Sequence, residues 1–166
     1  MQTTQTPRAM KPGKTAGDMM VTRMVTLEAG MNVVQAARRL VKQRIGSAPV
    51  IDPDTSLPVG ELSRQSCLDA LLEAVYEGSP TRKVASYMIP WNSTVGENSS
   101  IVEMVEKFRG SPQKFLPVCR DKKFLGVVTR SALTRALLAL LENLPDHQSR
   151  TLYLSAIHDP DEAPGL

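Results

Sequence analysis

Apolar positions along this chain fall into two alternating rhythms. Between 31 and 44, Val33, Ala36, Ala37 and Leu40 recur at the i, i+3, i+4, i+7 spacing of one helix face, and Ile101, Met104, Val105 and Phe108 repeat that spacing between 99 and 110. Each helical stretch is followed by two short runs of strand-forming residues, "APVID" with "PVGELS" and then "FLPVCR" with "FLGVVT". The turn between each pair is polar, rich in Asp and Pro in the first case and charged in the second, which predicts two antiparallel hairpins. A second helix closes each stretch. Ser66–Tyr76 carries Leu68, Leu71, Leu72 and Val75 on one face, and Ser131–Asn143 carries Leu133, Leu137, Leu140 and Leu141, with Leu144 just beyond. A short strand near Val25 or Thr94 precedes each first helix, so the pattern predicts strand, helix, strand, strand, helix, twice.

The two stretches are copies. Asp18-Met19-Met20-Val21 recurs as Ser86-Tyr87-Met88-Ile89, Val25-Thr26-Leu27 as Ser93-Thr94-Val95, and Ala48-Pro49-Val50 as Leu116-Pro117-Val118, each pair 68 positions apart. After the prolines the offset falls to 66, since Gly60 matches Gly126 and the first hairpin turn holds two extra residues. A unit of roughly 60 residues is marginal alone because it buries little of its surface, so two units sharing a core are expected. The chain then divides into an N-terminal tail (1–16), a first unit (17–77), a polar linker (78–83), a second unit (84–144) and a C-terminal tail (145–166). In that last tail "TLYLSAI" reads as a short strand or a docked helical turn, and the acidic end after it as loose.

These residues, in this order and twice, make the sequence similar to a tandem pair of cystathionine-β-synthase-type (CBS) domains, also called a Bateman module. The marks are the "DMM" and "SYMI" openings, a helix followed by a hydrophobic-Pro-Val strand, and a Gly-containing strand leading through Ser/Thr-Arg into a helix, over about Gly17 to Leu144. The resemblance implies an α+β fold of two βαββα repeats packed about a pseudo-twofold axis with clefts between them. It further implies a flat homodimer of modules and a regulatory role exerted on a joined or separate enzyme or transporter. With no such domain joined here, regulation in trans is the expectation. No cofactor is required, and the family's regulatory ligands are AMP, ADP, ATP or S-adenosylmethionine.

In the family the ligand turn runs Gly-hydrophobic-x-Thr/Ser-x-x-Asp. The hydroxyl is suited to a phosphate or ribose oxygen, and the carboxylate accepts hydrogen bonds from both ribose hydroxyls. Gly60, Ser63 and Arg64 match in the first unit and Gly126, Thr129 and Arg130 in the second, but Ser66 and Ala132 stand where the aspartates belong. Losing a charge-assisted hydrogen bond to a ligand costs about 1.5–3 kcal/mol, so the Ala132 cleft is the weaker of the two. Arg64 and Arg130 read either as a phosphate clamp beside a helix N-terminus or as solvated cations. By the resemblance, Ser47, Ala48 and Pro49, with Phe115, Leu116 and Pro117, flank a bound base; core packing is the other reading of Ala48 and Leu116. Thr26 and Thr94 are placed where relatives contact ligand through the backbone, or are ordinary strand threonines.

Composition narrows the remaining classes. Net charge is +3, but Lys and Arg are scattered and aromatics make up 4%, so no basic stripe or base-stacking platform for nucleic acid stands out. The longest apolar run, Ala136 to Leu141, is far short of a membrane span, and "MQTTQTPRAM" has no apolar signal core, which makes a cytoplasmic protein the expectation. Cys67 and Cys119 lack metal-site or redox spacing and read as small core residues. "PGKTAG" echoes a phosphate loop but has Arg8 where its first glycine is needed, and His147 and His158, near Asp146, Asp159 and Asp161, sit in the C-terminal tail. No nucleophile elbow or Cys/His pairing supports catalysis. Met19, Met20, Met24 and Met31 read as core fillers or as an adaptable partner surface, and Trp91 as a half-buried loop aromatic or a base-stacking group.

Overall fold

The computed structural model describes residues 14–78 and 82–143. The histidines, their neighbouring aspartates, Leu144, "TLYLSAI", Pro12 and Gly13 lie outside the described residues. Among the described residues the chain divides into two units, the boundary falling between Leu133 and Thr134.

In the first half, β1 (Leu27–Glu28) leads to α2 (Val33–Lys42), β2 (Ser47–Ile51), β3 (Pro58–Ser63) and α3 (Arg64–Glu77), after a single-turn α1 (Ala16–Met19). The second half runs through a 3-10 turn (Val84–Ser86), β4 (Ile89–Pro90), α4 (Ile101–Phe108), β5 (Phe115–Arg120), β6 (Lys123–Thr129) and α5 (Arg130–Glu142). Both hairpins are antiparallel as expected, β2 with β3 and β5 with β6. Each breaks register at the matching point, between Val50 and Ile51 and between Val118 and Cys119, so the irregularity belongs to the repeat itself. Asp121 and Lys122 close the second hairpin with positive φ, the geometry of a two-residue turn. The parallel opening strand lies one residue later than Thr26 and Thr94: Leu27 pairs with Val50, and Val95 bridges Val118.

Local chemistry sets the helix ends. The Asn32 side chain accepts from the Val34 N–H at 2.8 Å and Ser100 Oγ from the Glu103 N–H at 3.2 Å, so α2 and α4 begin just after these caps. Val33, Ala36, Ala37 and Leu40 are buried on α2, and Ile101, Met104 and Phe108 on α4, as the periodicity predicts.

The closing helices depart from expectation. On α3 the buried side chains are Cys67 and Ala70, while Leu68, Leu72 and Val75 are exposed, Val75 by 78%. Leu71 alone of that leucine face packs half-buried on the core, and the rest of the face is turned to the surface. In α5 Leu133 and Ala136 are buried and Leu137, Leu138 and Leu141 exposed.

A reciprocal exchange joins the repeats. β4 pairs with β3 of the first repeat, Gly60 opposite Pro90 and Glu61 opposite Ile89. In the same way Val21 forms an antiparallel bridge with Val127 of β6. The preceding turns follow suit: the N–H of Val84 donates to Met31 O at 2.9 Å, and that of Ala16 to Ser99 O at 2.9 Å. Each opening segment thus completes the other repeat, and Val84, Tyr87 and Met88 belong to the first repeat's core with Leu27, Leu40, Val50 and Leu62.

Candidate functional site

Ser63 and Thr129 end β3 and β6 and start the closing helices. Their hydroxyls are N-caps: Ser63 Oγ accepts from the Ser66 N–H and Thr129 Oγ1 from the Ala132 N–H, both at 3.1 Å. Ser66 Oγ also lies 3.0 Å from Ser63 Oγ, so the serine standing where the family has its aspartate is tied to the cap beside it.

Gly60 and Gly126 serve the strand exchange. A Cβ on Gly60 would lie 2.5 Å from Ile89 O, and one on Gly126 2.4 Å from Val21 O. Only a residue without a side chain admits the crossing strand.

The two arginines differ. Arg130 is spent on protein: Nε donates to Gln113 O at 3.2 Å, one terminal nitrogen to Phe108 O at 3.1 Å and Ser111 O at 2.6 Å, and the guanidinium lies 4.7 Å from the centre of the Phe108 ring. It caps the carboxyl end of α4, where cations are favoured. The Arg64 main chain donates to Gly46 O at 2.9 Å, and its side chain is exposed near Gly46.

Ser47, Phe115, Thr129 and Arg130, four of the residues expected at the site, line one cavity of about 350 Å³, joined by Lys114 and Ser131. Ala48 and Leu116 are buried among core side chains, and Pro49 and Pro117 are buried beside them. The Thr26 carbonyl accepts from Arg39 at 3.3 Å and Thr94 is exposed, both outside that cavity. Met31 and Met88 pack on the first core. Cys67 is buried and Cys119 half-buried, and burial pushes both thiols up. Among the described residues there is no cluster fit to hold a metal and no helix long and apolar enough to cross a membrane.

One acidic residue escaped the sequence reading. Glu61 is fully buried, with its carboxylate held by the main-chain N–H groups of Lys114 (3.0 and 3.1 Å) and Phe115 (3.2 Å) and by the indole of half-buried Trp91 (3.3 Å). Its signal was a glutamate inside the apolar "PVGELS" where the second copy has Val127.

The model of the CBS domain matches residues 16–73 and again 80–139. The chain belongs to the CBS-domain family. It is a CBS pair, or Bateman module, and solved CBS pairs share its architecture. CBSX2 from Arabidopsis thaliana is 25% identical, covers 79% of this chain and 99% of its own, and superposes with a TM-score of 0.65. A structure of CBSX2 in complex with AMP gives 0.63 at the same identity, over 78% of this chain and 99% of that one. The CBS domain pair of MJ0100, in complex with 5′-methylthioadenosine and S-adenosyl-L-methionine, is 19% identical over 78% of this chain and 99% of its own, with a TM-score of 0.62. Among curated proteins, the A-adding tRNA nucleotidyltransferase of Geobacter sulfurreducens is 24% identical over 93% of this chain, which spans only 18% of that enzyme. The uncharacterized protein YlbB of Bacillus subtilis is 27% identical over 62% of this chain and 68% of its own length.

Proposed function

We propose that this CBS pair is a regulatory ligand sensor: an adenosine-containing nucleotide, or a related phosphorylated ligand, binds between the repeats and changes how the pair engages a partner protein. The carrying observation is the cavity where Ser47 of the first repeat faces Lys114, Phe115, Thr129, Arg130 and Ser131 of the second. Its size suits a small ligand, Phe115 offers an aromatic face to a base, and the N-terminus of α5 with Lys114 favours anionic groups. The AMP complex of CBSX2 supports the same ligand class. Arg64, whose exposed side chain is engaged by no hydrogen bond or ion pair among the described residues, is the better placed arginine for a phosphate. Thr26, Ser63, Ser66 and Thr94, with the main chain at 48–49 and 116–117, complete the proposed surroundings of the two clefts. The reading is non-enzymatic, with an enzyme or transporter as the regulated partner.

A second reading, a ligand-free structural dimer, draws on Ser63, Ser66 and Arg130 being satisfied within the protein. Both readings place a homodimer contact on α3, where Leu68, Leu72, Val75 and Tyr76 form an exposed apolar stripe. Native mass spectrometry of freshly purified protein, followed by calorimetry with AMP, ADP, ATP and S-adenosylmethionine, tests them together. The expected result is a dimer mass and a heat and thermal shift with at least one nucleotide. A dimer silent to all four ligands would sink the sensor reading for this class and leave the scaffold.

A further inference from the structure

Glu61 is the one charged side chain among the described residues that is wholly buried, 0% exposed. No cation pairs with it there. A carboxylate withdrawn from water without a cation is tolerated only where N–H donors replace its hydration. Those donors come from two other places: Lys114 and Phe115 at the entrance of β5, and Trp91 on the segment that has crossed to pair with β3. The main-chain N–H of Trp91 donates to Val59 O at 3.0 Å, fixing that segment on the same strand.

We propose that Glu61 is a latch that fixes the entrance of β5 to the first repeat's sheet, and through it a positioning residue for the cavity that Lys114 and Phe115 line. The latch is two-state by construction. While β5 is seated, the carboxylate is satisfied by three groups at once; when β5 withdraws, it rehydrates, so partial opening strands a buried charge and is disfavoured. It is also one-sided. The equivalent residue of the second repeat is Val127, which has no polar group to offer the entrance of β2. The two cleft ends therefore differ in how their strands are held: among the described residues, a buried carboxylate holds the Phe115 end, and at the other end the Arg64 N–H donates to Gly46 O.

The proposal rests on hydrogen bonds alone, so it is tested on ligand-free full-length protein and stands or falls apart from the sensor reading. Amide hydrogen exchange is compared for wild type, Glu61→Gln and Glu61→Val, with emission of Trp91, the chain's single tryptophan, as a second readout. The glutamine sets an amide NH₂ against N–H donors, and the valine copies the second repeat. In both, the Lys114 and Phe115 amides are expected to exchange at least about tenfold faster and Trp91 emission to shift to the red, with Val50 and Leu62 amides retaining protection. Trp91→Phe removes one donor and leaves Glu61 in place. It is expected to speed the same two amides, and it carries the test if a Glu61 variant fails to fold. Wild-type exchange at Lys114 and Phe115 in a folded variant overturns the latch. So does uniform acceleration through both hairpins, which would make Glu61 a contributor to global stability only.

Discussion

A methyl group on Gly60 or Gly126 would sit about an ångström inside normal contact distance of a main-chain carbonyl, and a carbonyl in a crossing strand has little room to move. Gly60→Ala and Gly126→Ala should each cost about 1–3 kcal/mol, the range for overpacking a dense interior. Gly30→Ala, with nothing within 4 Å of the added carbon, should stay within about 0.5 kcal/mol of wild type. Urea midpoints decide it; an unchanged midpoint for Gly60→Ala would remove close strand approach as the reason for glycine. The motif residues were legible in the sequence, but the structural work they do was not. The strand that Gly60 and Gly126 admit is distant along the chain, and the capping bonds of Ser63 and Thr129 form only once the following helices are in place. Glu61 was passed over because helix and strand periodicity weigh apolar positions, and its donors lie 30, 53 and 54 residues away.

At the scale of elements, the 68-residue offset revealed both hairpins and the buried faces of α2 and α4, since these depend on local spacing. The strand exchange was hidden, because each crossing rests on a few hydrogen bonds between segments whose own sequences are unremarkable strand. The face of α3 was only partly judged for a different reason: Leu71 packs on the core, but the fully buried positions are the small residues Cys67 and Ala70, and large leucines are poor markers of such a surface. The exchange makes a test of what constitutes a folding unit. A fragment 24–91 keeps Val84, Tyr87 and Met88 on the first core and restores β4 to β3, whereas a fragment 14–78 carries Ala16 and Val21, whose partners are in the other repeat. Circular dichroism should therefore show more helix and a sharper thermal transition for 24–91. Equal content in the two fragments would mean that the crossing segments contribute little to either core.

Across the whole molecule the repeats have kept their backbone and diverged in chemistry. The first has Ser66, an unengaged Arg64 and buried Glu61; the second has Ala132, an Arg130 locked onto α4, and Val127. Duplicated frames with unequal side chains fit one cleft that senses and one that supports, and the missing carboxylate allows this to be tested directly. Ala132 is half-buried, with its N–H on the cap Thr129 Oγ1, at the third position of α5. Ala132→Asp puts an acid in the first turn of that helix, a placement worth about 0.3–1 kcal/mol to stability by itself. If the adjoining cavity takes a nucleotide, the new carboxylate also gains ribose hydroxyls, and AMP affinity should rise by roughly tenfold or more, about 1.5–3 kcal/mol. Calorimetry and thermal unfolding separate the two effects, because the helix-terminus gain appears without ligand and the ribose gain only with it. A variant that is more stable yet binds AMP no better than wild type would show that the amino end of α5 serves the fold and that its cavity holds no ribose.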